Sequence, residues 1–209
     1  MQRFDRVTGP AAPLLQPNID TDVIIRAERL VGTPKEAMGR FAFEVWRFRA
    51  DGSEEPDFVL NRAPFRGAPI LLAGPNFGCG SSREAAVWAL AGLGIRAVIA
   101  PSFSDIFAGN ALQNGLLPVV LPEQTVRGLA AQIEADPDHA RVTVDLERQA
   151  VVGPDGAAHG FVIDPDRREA LLLGLDDIGL TLRQAELIEA WQAEDRRRRP
   201  WVWLGAAET

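Results

Sequence analysis

The stretch that most constrains this chain runs from Ile70 to Leu90 and reads ILLAGPNFGCGSSREAAVWAL. Ile70, Leu71, Leu72 and Ala73 are too few to make a free helix, and the Pro and Gly that bound them predict a buried strand. A helix is expected to start near Arg83, with Ser81 or Ser82 as its N-cap. Gly92 and Gly94 stop that helix, and Ala97–Ala100 reads as a second buried strand. Strand, helix and strand within about 30 residues make a βαβ unit, whose crossover brings the two strands parallel. Ligands of such sheets bind beyond the carboxyl ends of the strands, which places the expected site at Gly74 to Ser82.

The composition of that turn says what it is for. Gly74, Gly78 and Gly80 remove Cβ atoms where a backbone must turn or approach a ligand. Backbone N–H groups at the start of a helix suit an anion, and Arg83 adds a planar fork of donors for a carboxylate or phosphate. In that positive field a serine hydroxyl can serve as a proton-abstracting base. The turn has no Walker lysine and does not match GxGxxG, which argues against a nucleotide-binding module.

Taken residue by residue, PNFGCGSSRE resembles the signature of the small subunits of 3-isopropylmalate dehydratase, the swivelling domain of the aconitase superfamily. NIDTD at 18–22, PSFSDIFAGNALQNGLLPV at 101–119 and GLDDIGLTL at 174–182 resemble the same family, so the likeness spans nearly the whole chain. It implies an α/β swivelling β/β/α domain with a mostly parallel central sheet, the core at 1–125 and a C-terminal α+β extension at 126–209. It implies a hydro-lyase that interconverts 2- and 3-isopropylmalate in leucine biosynthesis, Ser81 as base, and Arg83, Ser82 and Gly80 as substrate contacts. The loop Arg26–Gly32 corresponds to the family's substrate-choosing segment, with Arg29 and Val31 as candidate contacts. The partner implied is a large subunit that bears a 4Fe-4S cluster, in a heterodimer or heterotetramer. Three departures stand out: Arg26 and Arg29 replace the usual proline and aromatic residue, and Ala85 stands where histidine is common. They keep two alternatives open, a related hydro-lyase for another 2-hydroxy di- or tricarboxylate and a non-catalytic paralogue.

Composition narrows the classes further. A net charge of -7 argues against general nucleic-acid or anionic-membrane binding. Cys79 is the single cysteine, so this chain cannot by itself supply the thiolates of an ordinary iron–sulfur cluster. The amino terminus lacks an apolar signal-peptide core, and no run approaches the ~18 apolar residues of a membrane span, so a cytoplasmic location is expected. The Arg196–Arg199 run reads as a solvated helix end. His139 and His159 read as surface residues, and the Trp201–Leu204 tail suits docking on a neighbour or on its own domain.

Elsewhere, Val23–Ile25 and Phe41–Phe48 read as strands from their β-branched and aromatic content. Asp105–Asn114 and Pro122–Ala135 read as helices, with Leu116–Leu121 as a third strand between them. Val142–Leu146 and Gln149–Val152 read as a hairpin, and Phe161–Ile163 as a further strand. A helix is expected from about Arg167 to Leu173, and a capping box formed by Thr181 and Gln184 is expected to open the last helix.

Overall fold

The computed structural model describes residues 1–81 and 83–203. Two short strands, β1 (Arg6–Gly9) and β2 (Ala11–Leu14), are separated by Pro10, which has no N–H to continue a ladder. They go to different sheets. β2 lies parallel to β3 (Ile70–Ala73), followed by β4 (Ala97–Ala100) and β5 (Leu117–Val120), in the order β2-β3-β4-β5. β1 pairs antiparallel with β6 (Val142–Asp145), which continues into β7 (Ala150–Val152) and β8 (Ala158–Gly160). Every residue of β3 and β4 is buried, so both faces of the parallel sheet are covered.

Near the amino terminus come two one-turn helices, α1 (Thr21–Ile24) and α2 (Glu44–Arg47). The crossovers of the parallel sheet are α3 (Glu84–Gly92), between β3 and β4, and α4 (Asp105–Gln113), between β4 and β5. Then α5 (Glu123–Ala135) buries Val126, Leu129, Ala130 and Ile133 and packs against β2, β3 and β4. The chain closes with α6 (Pro165–Leu173), α7 (Asp177–Leu182) and α8 (Ala185–Arg198).

Four local expectations change. Val23–Ile25 does not form a strand, because the Asp20 carboxylate accepts the Val23 N–H at 2.8 Å and caps α1 instead. Ile24 and Ile25 are fully buried, so burial and a good cap override their β propensity. Phe41–Phe48 is not extended either: Phe43 takes a left-handed backbone (φ 54°), and the helical turn after it stacks Trp46 on Phe43 with centroids 6.3 Å apart. The third strand of the antiparallel hairpin region is Ala158–Gly160 rather than Phe161–Ile163. Finally, Thr181 lies inside α7 and its hydroxyl donates to the Asp177 carbonyl, so no capping box forms and Gln184 itself precedes α8.

The start of α3 is positioned in part from its far end. There Gly92 meets Gly39, in the 3-10 segment Lys35–Phe41, so closely that a Cβ on Gly92 would lie 2.7 Å from the Gly39 Cα. Both neighbours are backbone and cannot swing away. Gly92→Ala is therefore expected to destabilise the fold by about 1–3 kcal/mol, read as a lower midpoint in denaturant unfolding.

Candidate active site

Three loops meet beyond the carboxyl ends of the parallel strands: the one after β2, the one after β3 and the one after β4. The Asn18 N–H donates to the Pro75 carbonyl at 2.9 Å, the Gly78 N–H to Ile19 at 2.8 Å and the Thr21 N–H to Cys79 at 3.0 Å. On the other side the Phe77 N–H donates to Ser102 and the Ser104 N–H to Phe77, while the Ser102 hydroxyl accepts from the Asn76 N–H at 2.8 Å. The turn from Gly74 to Ser81 is thereby laced on both flanks. Fixing it this way uses N–H groups of Phe77 and Gly78, so the row of amides expected for an anion is shorter than the sequence suggests.

Below the turn, Phe77 is fully buried and meets Phe107 edge-on at 5.3 Å and Phe103 at 6.2 Å. Gly78 rests directly on Phe107: a Cβ there would come within 2.2 Å of the ring, at a φ of +73° that L residues rarely adopt. Aromatic floor and glycine together fix the height of the loop that leads to Ser81.

At the rim, Ser81 is exposed. α3 begins at Glu84, with Arg83 as an extended residue before it and no side-chain cap from Arg83. Ser82, expected as a cap or a substrate contact, lies outside the described residues. The Arg83 guanidinium is held by Asp22 of α1, with Nη1 2.6 Å from Oδ1. Glu84 accepts a hydrogen bond from the Asn114 amide at 2.8 Å. Arg83 is half-buried, at 30% exposure, and Asp22 more open, so the pair faces water where an incoming anion can compete for the guanidinium.

NIDTD thus contributes more than turn chemistry. Asp20 caps α1, Asp22 takes Arg83, and Thr21 is buried with its hydroxyl unpartnered among the described residues. That hydroxyl lies 3.8 Å from where a Cβ on Gly80 would stand, so Gly80 (φ +83°) keeps the space above it open. The sequence did flag this acidic stretch, but nothing local indicated that its second aspartate would meet Arg83.

The loop Arg26–Gly32 contains a 3-10 turn, Ala27–Leu30. Arg29 grips the carboxylate of Glu44 with Nε at 3.0 and 3.1 Å from its oxygens, and stacks 4.3 Å from the Phe41 ring centroid. Arg26 pairs with Glu28 at 3.0 Å and approaches Glu44 at 3.7 Å. The hydrogen bond from Arg26 holds the Glu28 carboxyl below the usual carboxylate range. Beside these pairs runs an open groove of about 600 Å³ bordered by Arg40, Phe48 and Arg49. Val31 is 87% exposed, and Ala85 is buried in the core. His139 is exposed and bonds to Asp136, far in sequence from the site.

Among the described residues no group of three or more His, Cys, Asp or Glu side chains is placed to hold a metal ion. Among them, too, no helix is long and apolar enough to cross a membrane.

Comparison with known proteins adds to this geometry. Residues 1–124 match the Aconitase C-terminal domain, residues 127–165 match LeuD_N, and residues 177–202 match the C-terminal domain of the 3-isopropylmalate dehydratase small subunit. The 3-isopropylmalate dehydratase small subunit of Rhodospirillum centenum is 52% identical over 202 residues, covering 97% of this chain and 99% of that protein. The protein of the same name from Cupriavidus necator is 51% identical over 204 residues, covering 97% and 98%. Among solved structures, 3-isopropylmalate dehydratase (leuD) of Methanocaldococcus jannaschii superposes with a TM-score of 0.62 at 26% identity, covering 90% of this chain and 99% of that one.

Proposed function

The chain belongs to the 3-isopropylmalate dehydratase small-subunit family of hydro-lyases, and from this we propose that its laced turn supplies the base and the carboxylate clamp of the reaction. The reaction interconverts 2- and 3-isopropylmalate in leucine biosynthesis by losing water and adding it back. The observation that carries the assignment is the Asp22–Arg83 pair, which orients a guanidinium two residues from the exposed Ser81 at the start of α3.

In this reading the Ser81 Oγ, as its alkoxide, takes the proton from the carbon beside a substrate carboxylate and becomes the neutral hydroxyl. The C–H electron pair becomes the new double bond, the bond from the neighbouring carbon to the hydroxyl breaks, and the hydroxyl leaves as water with a proton from an acid that the large subunit supplies. Arg83, aimed by the Asp22 contact on Nη1, binds a substrate carboxylate with the remaining donors of its fork. Positive charge beside that carboxylate stabilises the carbanion character that develops there. Gly80 keeps the backbone low enough for the substrate to approach, and Ser82 is a further substrate contact in this reading. Val31 is offered to the substrate's alkyl group, while Arg29, tied to Glu44, fixes the segment that carries Val31.

A 4Fe-4S cluster, held by the large subunit, would supply Lewis-acidic iron to the substrate hydroxyl. A single cysteine leaves this chain unable to house such a cluster by itself. The reaction takes place in the cytoplasm, and this chain has no turnover without its partner. Arg26 and Arg29 are largely neutralised by Glu28 and Glu44, which removes the reason to expect a more acidic substrate.

The test is hydration of dimethylcitraconate and of cis-aconitate, followed by absorbance, with this chain mixed anaerobically with the cluster-bearing large subunit. Turnover of dimethylcitraconate by the mixture, with neither subunit active alone, is expected. A preference for cis-aconitate, or silence with an intact cluster, would overturn the assignment.

A further inference from the structure

The end of the described chain is built unlike the rest. α7 has no buried residue, and α8 buries only Asp195 along its 14 residues. Asp195 ties α8 to the short segment after it, accepting from Arg199 at 2.7 Å and from the Trp203 indole at 3.0 Å, while Arg196 lies over the Trp203 ring. α7 is held to α6 by ion pairs, Arg167 to Asp177 at 2.7 Å and Arg183 to Glu169 at 2.5 Å. These contacts are polar and local. Six apolar residues of this region, Ile178, Leu182, Leu187, Trp191, Trp201 and Val202, are at least half exposed, and Ile188 is 37% exposed.

Leu187, Ile188 and Trp191 share one face of α8 by their i, i+1, i+4 spacing. A helix of about 12–15 residues is marginal alone in water, and most helical stability comes from packing an amphipathic face. Among the described residues, no apolar side chain of such a face on α8 is buried. An aromatic side chain presents roughly 150–250 Å², so Trp191 and Trp201, 60% and 65% exposed, together offer roughly 200–300 Å². The neighbouring aliphatic side chains raise this to the order of the ~800 Å² that one partner contributes to a stable interface. Monomeric proteins rarely leave such a patch uncovered.

We propose that the apolar face of α7 and α8 is the surface on which the large subunit docks. The proposal rests on the reading of the chain as one subunit of a heteromeric dehydratase, and it adds where the contact lies. The likeness to the aconitase domain stops at residue 124, whereas residues 177–202 match a domain described by the small subunit itself. A domain described as C-terminal in aconitase is joined to the rest of its enzyme by peptide bonds. A separate subunit needs an equivalent hold made of side chains, and these helices carry the exposed apolar surface to provide it.

The test compares the wild-type chain, Leu187→Ala/Trp191→Ala, and Val162→Ala, a control at an exposed position outside this face. Alanine keeps helix propensity, so circular dichroism and the melting temperature should match wild type. Binding of each to the large subunit is measured by sedimentation velocity, along with the mass of each chain alone. The double variant is expected to bind at least about 30-fold more weakly, with activity recovered when the large subunit is in high excess and the control unchanged. Wild-type-like binding by the double variant would overturn the proposal and leave the subunit assignment standing. Failure of the wild-type chain to bind any large subunit would overturn both. A wild-type homodimer lost in the double variant, with binding to the large subunit intact, would give the face to a second copy and overturn the proposal.

Discussion

Ser81→Ala, mixed with the large subunit, is expected to assemble normally and to lose about 10²–10⁴-fold in kcat, with KM changed little. The side chain lies at the exposed rim of a turn whose shape is set by Phe77, Gly78 and backbone bonds to two neighbouring loops, so removing its hydroxyl leaves the scaffold alone. What is lost, in the proposed mechanism, is the acceptor for the substrate proton. A serine is a poor base unless positive charge stands near its oxygen, and in that mechanism Arg83 and the amino end of α3 supply it. Single-turnover hydration of dimethylcitraconate is the direct measurement. A rate within about threefold of wild type would move the base to another residue.

Arg83→Ala is expected to cost about 30- to 4,000-fold in kcat/KM, the range for truncating one partner of a close charge pair. Much of it should appear in KM, since in the proposed mechanism the guanidinium binds a carboxylate present in substrate and product alike. Arg83→Lys keeps the charge but loses the fork, and should recover only part of the loss. Asp22→Asn tests how Arg83 is aimed: with its 2.6 Å partner neutralised, Arg83 keeps its charge and loses its orientation, so a smaller loss is expected. Steady-state kinetics over a common substrate series separates the three. Equal losses for Arg83→Lys and Arg83→Ala would mean that geometry rather than charge carries the contact.

The parallel sheet was legible in the chain because buried strands such as ILLA and AVIA are apolar throughout and end at Gly or Pro. Gly174 likewise marks the end of α6 by the left-handed conformation that glycine adopts most readily. Val23–Ile25 and Phe41–Phe48 were harder, because their composition favours extended backbone while an aspartate cap and a cluster of Phe43, Trp46 and Phe58 favour helical turns. At the site, GCGSSRE announced the serine and the arginine. The aspartate that holds the arginine lies 61 residues earlier, and its role depends on two loops being brought together by the sheet. Arg29 read as a candidate substrate contact for the same reason. Glu44, which neutralises it, sits in a segment that read as a strand.

β1 also bears on how the chain is made. Its partner β6 is more than 130 residues away, and the two are joined by ladder bonds and by the contact of the Thr8 and Thr143 hydroxyls at 2.8 Å. A ribosome adding about 5–20 residues per second leaves β1 waiting on the order of 7–30 s before β6 emerges. β2, by contrast, can pair with β3 far sooner. The parallel layer can thus form while synthesis continues, and the pairing of β1, translated long before its partner, comes only after it. A nascent chain stalled before Val142 would carry a finished site and an open strand edge, a state in which chaperone capture or aggregation competes with completion.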